Sequence, residues 1–461
     1  MPRRPAGTAA IERLIDLRIE GFGPDGEGLG RVGGRSVEVP FTIPGEDVRI
    51  RLHRSPAGLV GELLEVLRPS PARVAPSCSH FGTAGSRRPC GGCTWQHIAY
   101  DAQLRFKSAI VQDRLDSVAA QMPAVRPTLA PDGEPWAYRH TAHFVFGAAG
   151  PPGRGLVMGH YARHSRDVVP VEECPAHAPD SNALAFALRD AFRQHRLDAA
   201  DHGRGVLRGL SVRVPSSGGG IMATLVVTTD TDRRVRTATR RVVSGWTRDV
   251  SLHLNLHPNT ETAQVLGHAT RHVAGPSRLR QRVGGVTYLL SPTAFFQTNV
   301  AAAELLVAQV LAAVPAGSRV LDLYAGVGLF SLPLALHGCQ VTAVEANRTA
   351  VEDGVASLRF NRIPPGRCRF IARSVESALY GGIRPDVVVL DPPRQGCSPD
   401  VLDGVFAELR APLVVYVSCN PATLAQDLRV ATAQGYTVHS VQPVDMFPHT
   451  AHIEVVTVLT R

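Results

Sequence analysis

From about residue 299 to the C-terminus, the sequence alternates between short apolar runs and stretches with helical spacing, and few folds accommodate this pattern. The clearest apolar runs are Ser318–Tyr324, Val341–Glu345, Val387–Leu390 and Leu413–Val417. Strands that alternate with helices form parallel sheets that are covered by helices on both faces. We therefore predict an α/β domain with a doubly wound sheet in the C-terminal third of the chain.

A glycine tract follows the first of these strands and opens a helix. Asp322–Phe330 contains Gly326 and Gly328, and Glu345 ends the next strand. Glycines at such a turn let the backbone approach a ligand closely, and an acid on the second strand can accept hydrogen bonds from ribose hydroxyls. The tract fits a nicotinamide dinucleotide or S-adenosylmethionine. The lack of a third glycine at the dinucleotide spacing favours S-adenosylmethionine, and a purely structural turn is the alternative.

A cysteine follows a later strand at the same edge of the predicted sheet. Cys419 lies in Val417–Pro421, and the preceding strand ends in Asp391–Arg394. Open α/β folds bind ligands at the carboxyl ends of their strands, so these polar groups are expected to converge. A partly exposed cysteine there can act as a thiolate nucleophile. A buried packing cysteine is the alternative.

The rest of the chain divides into two further regions. Residues 1–70 hold short apolar runs separated by glycines, which predicts a small all-β module. Residues 136–285 contain strands broken by Gly and Pro turns, with one helix near 181–196, and another helix is expected at about 99–120. A chain of 461 residues is too long for one core. We predict three domains, over residues 1–70, 71–285 and 286–461.

Five stretches in the C-terminal third resemble motifs of the RNA uracil-5 methyltransferase family, which includes bacterial 23S rRNA and tRNA enzymes. They occur in family order: Ser291–Asn299, Asp322–Phe330, Leu390–Arg394, Val417–Pro421 and Asp445–Glu454. The resemblance implies a Rossmann-like class I methyltransferase domain, an N-terminal TRAM-like (OB-like) β-barrel and a central α+β domain that binds RNA. It also implies that the helix at about 99–120 packs on the catalytic domain.

The resemblance also implies a reaction and the residues that perform it. In the family, a cysteine thiolate adds to carbon-6 of uracil, carbon-5 then takes the methyl group of S-adenosylmethionine, and a base removes the carbon-5 proton. Cys419 matches the nucleophile and Glu454 the base. By the same resemblance, a set of residues lines the cofactor and target-base pocket: Gln297, Tyr324, Gly326, Gly328, Glu345 and Asp391.

Four cysteines form a second pattern. Cys78, Cys90 and Cys93 are spaced as Cys-x11-Cys-x2-Cys, and Cys174 lies further along. Four thiolates suit a structural zinc or an iron–sulfur cluster, and ordinary packing residues are the alternative. The rRNA branch of the family carries a 4Fe–4S cluster on such cysteines, so the resemblance favours that cofactor. Gly82–Pro89 has the character of an insertion relative to the family pattern.

The positive charge is concentrated in the middle of the chain. The net charge is +9, and counting the sequence gives 0 for residues 1–70, +11 for 71–285 and −2 for 286–461. Such a region is suited to binding RNA phosphates, and ordinary solvated arginines are the alternative. Two groups are candidates for this contact: Arg139, Arg163 and Arg166 near Trp136, Tyr138 and Tyr161, and the strand group Arg49, Arg51, His53 and Arg54.

Several function classes remain open at this point. We expect a cytoplasmic location, because the sequence shows no secretory signal pattern and no run of about 18 apolar residues. We also expect a monomer. We predict methylation of 23S rRNA. The alternatives are a tRNA uracil-5 methyltransferase, a cytosine-5 methyltransferase and a non-catalytic RNA-binding or assembly factor.

Overall fold

The computed structural model describes residues 13–55, 58–82, 89–118, 122–149, 155–200, 205–259, 265–379, 382 and 384–461. The chain forms two compact units: one comprises Met1–Phe106, His160–Val169 and Phe447–His452, and the other comprises Lys107–Gly159, Pro170–Met446 and Ile453–Arg461. Residues 83–88 of the expected insertion and the end of the helix expected at 99–120 lie outside the described residues. The helices that are described are all too short or too polar to cross a membrane.

The first unit contains a six-stranded sheet built from the N-terminal residues. The strands are β1 (Arg13–Arg18), β2 (Gly21–Phe22), β3 (Gly28–Val32), β4 (Arg35–Val39), β5 (Asp47–Ser55) and β6 (Gly58–Arg68). Their order is β1-β5-β6-β4-β3-β2. The N–H of Glu20 donates to the carbonyl of Leu29 at 2.7 Å, so the chain after β1 contacts β3 and the sheet curls around its apolar core. This agrees with the predicted all-β module.

Helix α1 (Tyr100–Leu115) connects this sheet to the rest of the chain. Its C-terminal half belongs to the second unit, where Val111 and Leu115 are fully buried in the core of the C-terminal sheet. The helix therefore contributes apolar side chains to the C-terminal α/β domain.

The middle of the chain forms a seven-stranded sheet in the order β13-β12-β11-β10-β7-β8-β9. Its elements are β7 (Thr141–Ala148), β8 (Leu156–Tyr161), β9 (Val168–Pro170), α2 (Pro179–Gln194), β10 (Leu207–Arg213), β11 (Ile221–Val227), α3 (Arg233–Ser244), β12 (Val250–Leu256) and β13 (Ala269–Ala274). The expectation of a single helix here is wrong. α3 joins the parallel strands β11 and β12, and Asp232 caps it by accepting from the N–H of Arg234.

A hairpin precedes the catalytic sheet. Its strands are β14 (Leu279–Val283) and β15 (Val286–Leu290), joined by Gly284 and Gly285. Both glycines have positive φ, as a tight two-residue hairpin turn requires.

The C-terminal sheet has seven strands in the order β18-β17-β16-β19-β20-β22-β21. The elements are α4 (Val300–Ala313), β16 (Arg319–Leu323), α5 (Ser331–Leu336), β17 (Gln340–Glu345), α6 (Arg348–Phe360), β18 (Cys368–Ala372), α7 (Val375–Leu379), β19 (Val387–Leu390), α8 (Pro399–Asp403) with the π-helical turn Gly404–Leu409, β20 (Leu413–Ser418), α9 (Pro421–Ala433), β21 (Thr437–Val444) and β22 (Glu454–Thr460). β16 to β20 pair in parallel, and β22 is antiparallel to both of its neighbours.

This sheet confirms the predicted doubly wound α/β fold. The chain runs outward from β16 through β17 and β18, and then returns to continue through β19 and β20 on the other side. The order of the strands therefore reverses between β16 and β19. Such a reversal leaves a crevice at the carboxyl ends of the strands, where ligands bind in open α/β sheets.

Candidate active site at the carboxyl edge of the catalytic sheet

The glycine turn after β16 is held in place by Glu345 at the end of β17. One carboxylate oxygen of Glu345 accepts from the N–H of Gly326 at 2.9 Å, and the other accepts from the N–H of Asn347 at 2.7 Å. Each oxygen keeps a second lone pair, so the carboxylate can still accept from a ribose hydroxyl. Tyr324 has φ +63°, a strained conformation for a bulky residue and one that occurs mainly at functional sites.

The two glycines of the turn serve different purposes. Gly326 has φ +56° and nothing within 4 Å of where a Cβ would be, so its backbone faces open space that a ligand can fill. At Gly328, a Cβ would lie 2.8 Å from the ring of Phe370. Gly328 is therefore required for packing of the helix start against β18. The sequence predicted both as cofactor-binding residues but could not separate these two roles.

Asp322 provides a buried acceptor directly behind the turn. It is fully buried, one of its oxygens accepts from the hydroxyl of Ser331, and its Oδ1 has no hydrogen-bond partner among the described residues. Burial, reinforced by the charge of Glu345, raises the pKa of Asp322 to about 7. S-adenosylmethionine carries an ammonium group and a ribose, and the unpaired acceptor, the open turn at Gly326 and the Glu345 carboxylate fit both. The sequence pattern did not single out Asp322 as a site residue.

Cys419 lies just beyond β20 in a segment that is fixed by its neighbours. The side chain of Asn420 caps α9 by accepting from the N–H of Ala422 at 3.1 Å, and it donates to the carbonyl of Arg394 at 3.0 Å. The hydroxyl of Ser418 donates to the carbonyl of Asn420 at 3.1 Å. The bond between Asn420 and Arg394 joins the Cys419 segment to the Asp391–Arg394 segment after β19.

The pairing of β20 with β22 aligns Cys419 with Glu454. Ser418 pairs with Val455 in the antiparallel ladder, so the next residues in that register are Cys419 and Glu454. Glu454 is only 4% exposed and also pairs with Val444 of β21. The structure therefore brings together the nucleophile and the base that the resemblance implied.

Burial, with the nearby carboxylates, raises the pKa values of both Cys419 and Glu454. Burial raises the pKa of the Cys419 thiol to about 11, and the charges of Glu454 and Asp391 add to the effect. Burial and the charge of Asp391 hold the pKa of Glu454 well above its usual range. Asp391 itself has a pKa of about 7, raised by burial and by Asp322. The guanidinium of Arg394 opposes these shifts at both Cys419 and Glu454, and the sequence pattern did not single out Arg394 as a site residue.

Gln297 belongs to a loop that is anchored at both ends. Gln297 is 7% exposed. At the start of the loop, the N–H and hydroxyl of Ser291 both donate to Asp353 at 2.6 Å. At its end, Asn299 caps α4 and donates to the carbonyl of Met446 at 3.2 Å. The loop is therefore tied to the Asp445–Glu454 motif, although no contact of Gln297 itself defines its role.

A buried ion pair supports the same motif. Lys107 of α1 donates to Asp445 at 2.6 Å, and both side chains are fully buried. Asp445 directly follows β21, whose carboxyl end lies at the active-site edge because β21 runs parallel to β20. The pair fixes the point where the chain leaves β21.

The four cysteines of the second pattern fall in different units. Cys78, Cys90 and Cys93 belong to the first unit and Cys174 to the second, and all four are partly buried. Within the first unit, the N–H of Cys90 donates to the carbonyl of His80 at 2.8 Å, and the N–H of Gly92 donates to the Cys90 sulfur at 3.4 Å. N–H groups that donate to sulfur suit a thiolate ligand. The four-cysteine cluster stays a prediction.

Several arginines that were candidates for RNA contact have acidic partners instead. Arg49 bonds Asp16 at 2.9 Å, and Arg51 bonds Glu62 at 2.9 Å. Nε2 of His53 also lies 3.3 Å from Glu62. Arg163 forms a largely buried ion pair with Glu27 at 2.7 Å. The register of β5 with β1 and β6 therefore supplies carboxylates to Arg49 and Arg51, and the expectation of phosphate contact at these two groups of residues stays a prediction.

The doubly wound sheet and the site at its carboxyl edge are those of the S-adenosylmethionine-dependent methyltransferases. The tRNA (uracil-5-)-methyltransferase family model matches residues 277–461, and a TRAM domain model matches residues 13–58. An uncharacterized RNA methyltransferase of Gloeobacter violaceus is 34% identical over 100% of both chains, and one of Halalkalibacterium halodurans is 32% identical over 97% of this chain and 96% of its own. The chain belongs to the RNA uracil-5 methyltransferase family.

A solved structure agrees with this assignment over nearly the whole chain. The tRNA (uracil-54, C5)-methyltransferase of Pyrococcus abyssi, in complex with S-adenosyl-L-homocysteine, is 26% identical and has a TM-score of 0.78. The match covers 96% of this chain and 99% of the Pyrococcus chain. The expected TRAM-like module and class I methyltransferase fold are thereby confirmed.

Proposed function

We propose that this enzyme forms 5-methyluridine in RNA, with Cys419 as the covalent nucleophile and Glu454 as the base. The observation that supports this proposal is the register of β20 and β22, in which Cys419 and Glu454 follow the pair Ser418–Val455. A thiol and a buried carboxylate at one sheet edge are the two groups that carbon-5 methylation of uracil requires.

The reaction balances with these two groups. The Cys419 thiolate forms a bond to carbon-6 of uracil, and the electron pair of the 5,6 double bond moves into an enolate. Carbon-5 then takes the sulfonium methyl group, and the carbon–sulfur bond pair leaves with the neutral thioether. Glu454 takes the carbon-5 proton, the double bond re-forms and the carbon–sulfur bond to Cys419 breaks.

The protonation states at the site control this sequence. A thiol with a pKa of about 11 is protonated at neutral pH, so the thiolate must be favoured during turnover. Arg394 contributes in that direction, since its charge lowers the pKa of Cys419. S-adenosylmethionine supplies an electrophilic methyl group on a sulfonium cation, whose charge also favours nearby anions. Tyr324, Gly326, Glu345 and Asp322 are the residues that would hold it.

We propose 23S rRNA as the substrate, because the cysteine pattern and the TRAM-like module resemble the rRNA branch of the family. The same resemblance supports a 4Fe–4S cluster on Cys78, Cys90, Cys93 and Cys174, with zinc as the alternative metal. The Pyrococcus relative is described as a tRNA (uracil-54, C5)-methyltransferase, and this similarity favours tRNA as the second candidate substrate.

The test is to incubate anaerobically purified protein with unmodified total RNA and methyl-labelled S-adenosylmethionine, and then to identify the labelled nucleoside. The control variant is Cys419→Ala. We expect label in 5-methyluridine with the wild type and none with the variant. Fractionated rRNA and tRNA then identify the substrate, and iron, sulfide and zinc analysis identifies the metal.

The other outcomes favour the competing functions. Label in 5-methylcytidine would replace the uracil assignment with a cytosine-5 methyltransferase. Absence of label from protein that binds S-adenosylmethionine would favour a non-catalytic RNA-binding factor.

A further inference from the structure

A cleft of about 880 Å³ lies beside the β14–β15 hairpin, away from the groups that form the active site. Its volume is within the range of roughly 300–1,000 Å³ that is common for ligand-binding clefts. Arg278, Arg280 and Arg282 line it, together with a glycine turn at residues 217–220. The lining contains one carboxylate, Asp249, so the cleft is positively charged.

The walls of the cleft are fixed by buried polar contacts. Gln281 points to the buried side of β14, where it donates to the hydroxyl of Ser216 at 2.9 Å and so holds the start of the glycine turn. Arg278 forms an ion pair with the fully buried Asp353 at 2.8 Å. Asp353 also accepts from Ser291, the first residue of the Gln297 loop. The cleft is therefore joined to a loop of the active site.

The exposed side of β14 presents two arginines to this space. Arg280 and Arg282 alternate with buried residues, so they lie on the same face of the strand. The guanidinium of Arg280 lies 5.0 Å from the ring centroid of Phe360, which is 44% exposed. The side chain of Arg282 forms no ion pair or hydrogen bond with any residue that the structure describes.

The first unit contains a similar pair of arginines on one strand, but there both arginines have acidic partners. On β5, Arg49 and Arg51 are also two residues apart, and carboxylates of β1 and β6 neutralise both. Neither Arg280 nor Arg282 forms an ion pair with a carboxylate among the described residues, although Asp249 lines the same cleft. Two neighbouring positive charges without acidic partners repel each other, and a bound anion relieves that repulsion.

We propose that this cleft binds a single-stranded segment of the RNA substrate, with Arg280 and Arg282 on phosphates and a base stacked on Phe360. Paired basic groups beside an exposed aromatic ring are the arrangement by which proteins hold single strands without reading their sequence. The inference rests on the RNA substrate of the proposed function and adds a contact remote from the target uridine. A free nucleotide offers the same phosphate and base chemistry. The test therefore distinguishes binding of an RNA segment from binding of a free nucleotide.

The experiment measures binding of the full-length protein to a 20-nucleotide single-stranded RNA across a series of salt concentrations, without cofactor. We expect the Arg280→Gln and Arg282→Gln double variant to bind about tenfold more weakly, with a salt slope smaller by roughly 1 to 2. Phe360→Ala should weaken binding about fivefold or more and leave the salt slope unchanged, because stacking involves no counterion release. Arg359→Gln is the matched control, since Arg359 is exposed next to Phe360 and outside the cleft.

The outcomes distinguish this proposal from the proposed function. If the variants are folded, as judged by thermal unfolding, and bind RNA with wild-type affinity and salt slope, the proposal is overturned. The same variants are tested for binding of a nucleoside triphosphate. The proposal is also overturned if the variants lose binding of the nucleoside triphosphate but keep binding of RNA. Because the assay requires no methyl transfer, a failure to form 5-methyluridine does not affect it. In methylation assays, the same variants should raise KM for RNA and leave kcat unchanged.

Discussion

The carboxylates at the two edges of the catalytic sheet have pKa values that are shifted in opposite directions. At the amino edge, Asp386 precedes β19 and pairs with Arg319 at the start of β16 at 2.7 Å, which lowers the pKa of Asp386. At the carboxyl edge, burial raises the pKa values of Asp322, Asp391 and Glu454. No ion pair reaches these three carboxylates within the part of the chain that the structure describes.

This difference in pairing and burial affects the stability of the folded state at the two edges. An exposed ion pair contributes little, but it is formed at little expense. Buried carboxylates without an ion pair destabilise the folded state when they ionise, and strongly shifted carboxylates are concentrated at functional sites. Asp445 lies at the same carboxyl edge, yet it is paired with Lys107. Pairing therefore separates Asp445 from Asp322, Asp391 and Glu454, the acids of this edge that we propose to act on the cofactor or the target base.

Removing the reactive groups should have the largest effect. Cys419→Ala is expected to reduce methyl transfer to background, because the carbon-5 nucleophile cannot form without the covalent adduct. Glu454→Gln should slow turnover by about 10²- to 10⁴-fold and trap the adduct, because the carbon-5 proton has no acceptor. The adduct is measured as an RNA-dependent shift of the protein on a denaturing gel. A Glu454→Gln variant that turns over at the wild-type rate would assign the base to another residue.

Breaking the paired acid of this edge should have the next largest effect, on stability. Lys107→Met is expected to destabilise the fold by about 3–5 kcal/mol, because it removes the cation that faces the buried Asp445. Urea denaturation monitored by fluorescence measures the change. Adding Asp445→Asn to this variant should recover part of the loss, since the buried charge is then removed. If the double variant is no more stable than Lys107→Met, the loss is due to packing.

Asp322 should make the free energy of unfolding depend on pH. Asp322 has a folded-state pKa of about 7 against an ordinary value of 3.8, so its contribution to stability is complete below pH 3.8 and is lost as the pH rises through about 7. Asp322→Asn should therefore reduce the fall in unfolding free energy between pH 4.5 and pH 8 by a few kcal/mol. Ser331→Ala is the control, because it keeps the carboxyl group. An unchanged slope in Asp322→Asn would mean that Asp322 is not the titrating group.

The charge of Glu454 should also affect the pKa of the Cys419 thiol. The Glu454→Gln variant is expected to have a lower thiol pKa at Cys419, because the carboxylate charge that raises it is gone. The rate of alkylation of Cys419 as a function of pH measures this shift. Arg394→Gln should change the pKa in the other direction.

The amino edge should give the smallest effect. Asp386→Asn removes the exposed pair with Arg319, and we expect the unfolding free energy and the methylation rate to stay close to those of the wild type. A loss comparable to that of Lys107→Met would contradict the contrast between the two edges.

The local sequence predicts the catalytic domain well, because each strand and its glycine or polar ending are encoded within a few residues. The run Val387–Leu390 coincides with β19, and Glu345 ends β17 as expected. The sequence predicts less where distant strands must pair. The register of β22 against β20, which aligns Glu454 with Cys419, has no local signal, and only the family resemblance indicated it.

The same limit applies to the pairing of surface charges. Arg49 gains Asp16 as its partner through the pairing of β1 with β5, a register that composition cannot reveal. α3 was missed because its arginines interrupt the apolar pattern, although Asp232 provides a cap signal at its start. Gly328 shows a related limit, because only the position of Phe370 in space separates a packing glycine from a ligand-facing one.

Lys107 has a further consequence, because it is the only lysine in the sequence. A protease that cleaves after lysine has one site in the whole chain, and that site lies in a helix with a fully buried side chain. Cleavage into fragments 1–107 and 108–461 can therefore occur only when α1 opens. The rate of this single cut would report how often the chain releases Asp445, and thereby how often the active-site edge comes apart.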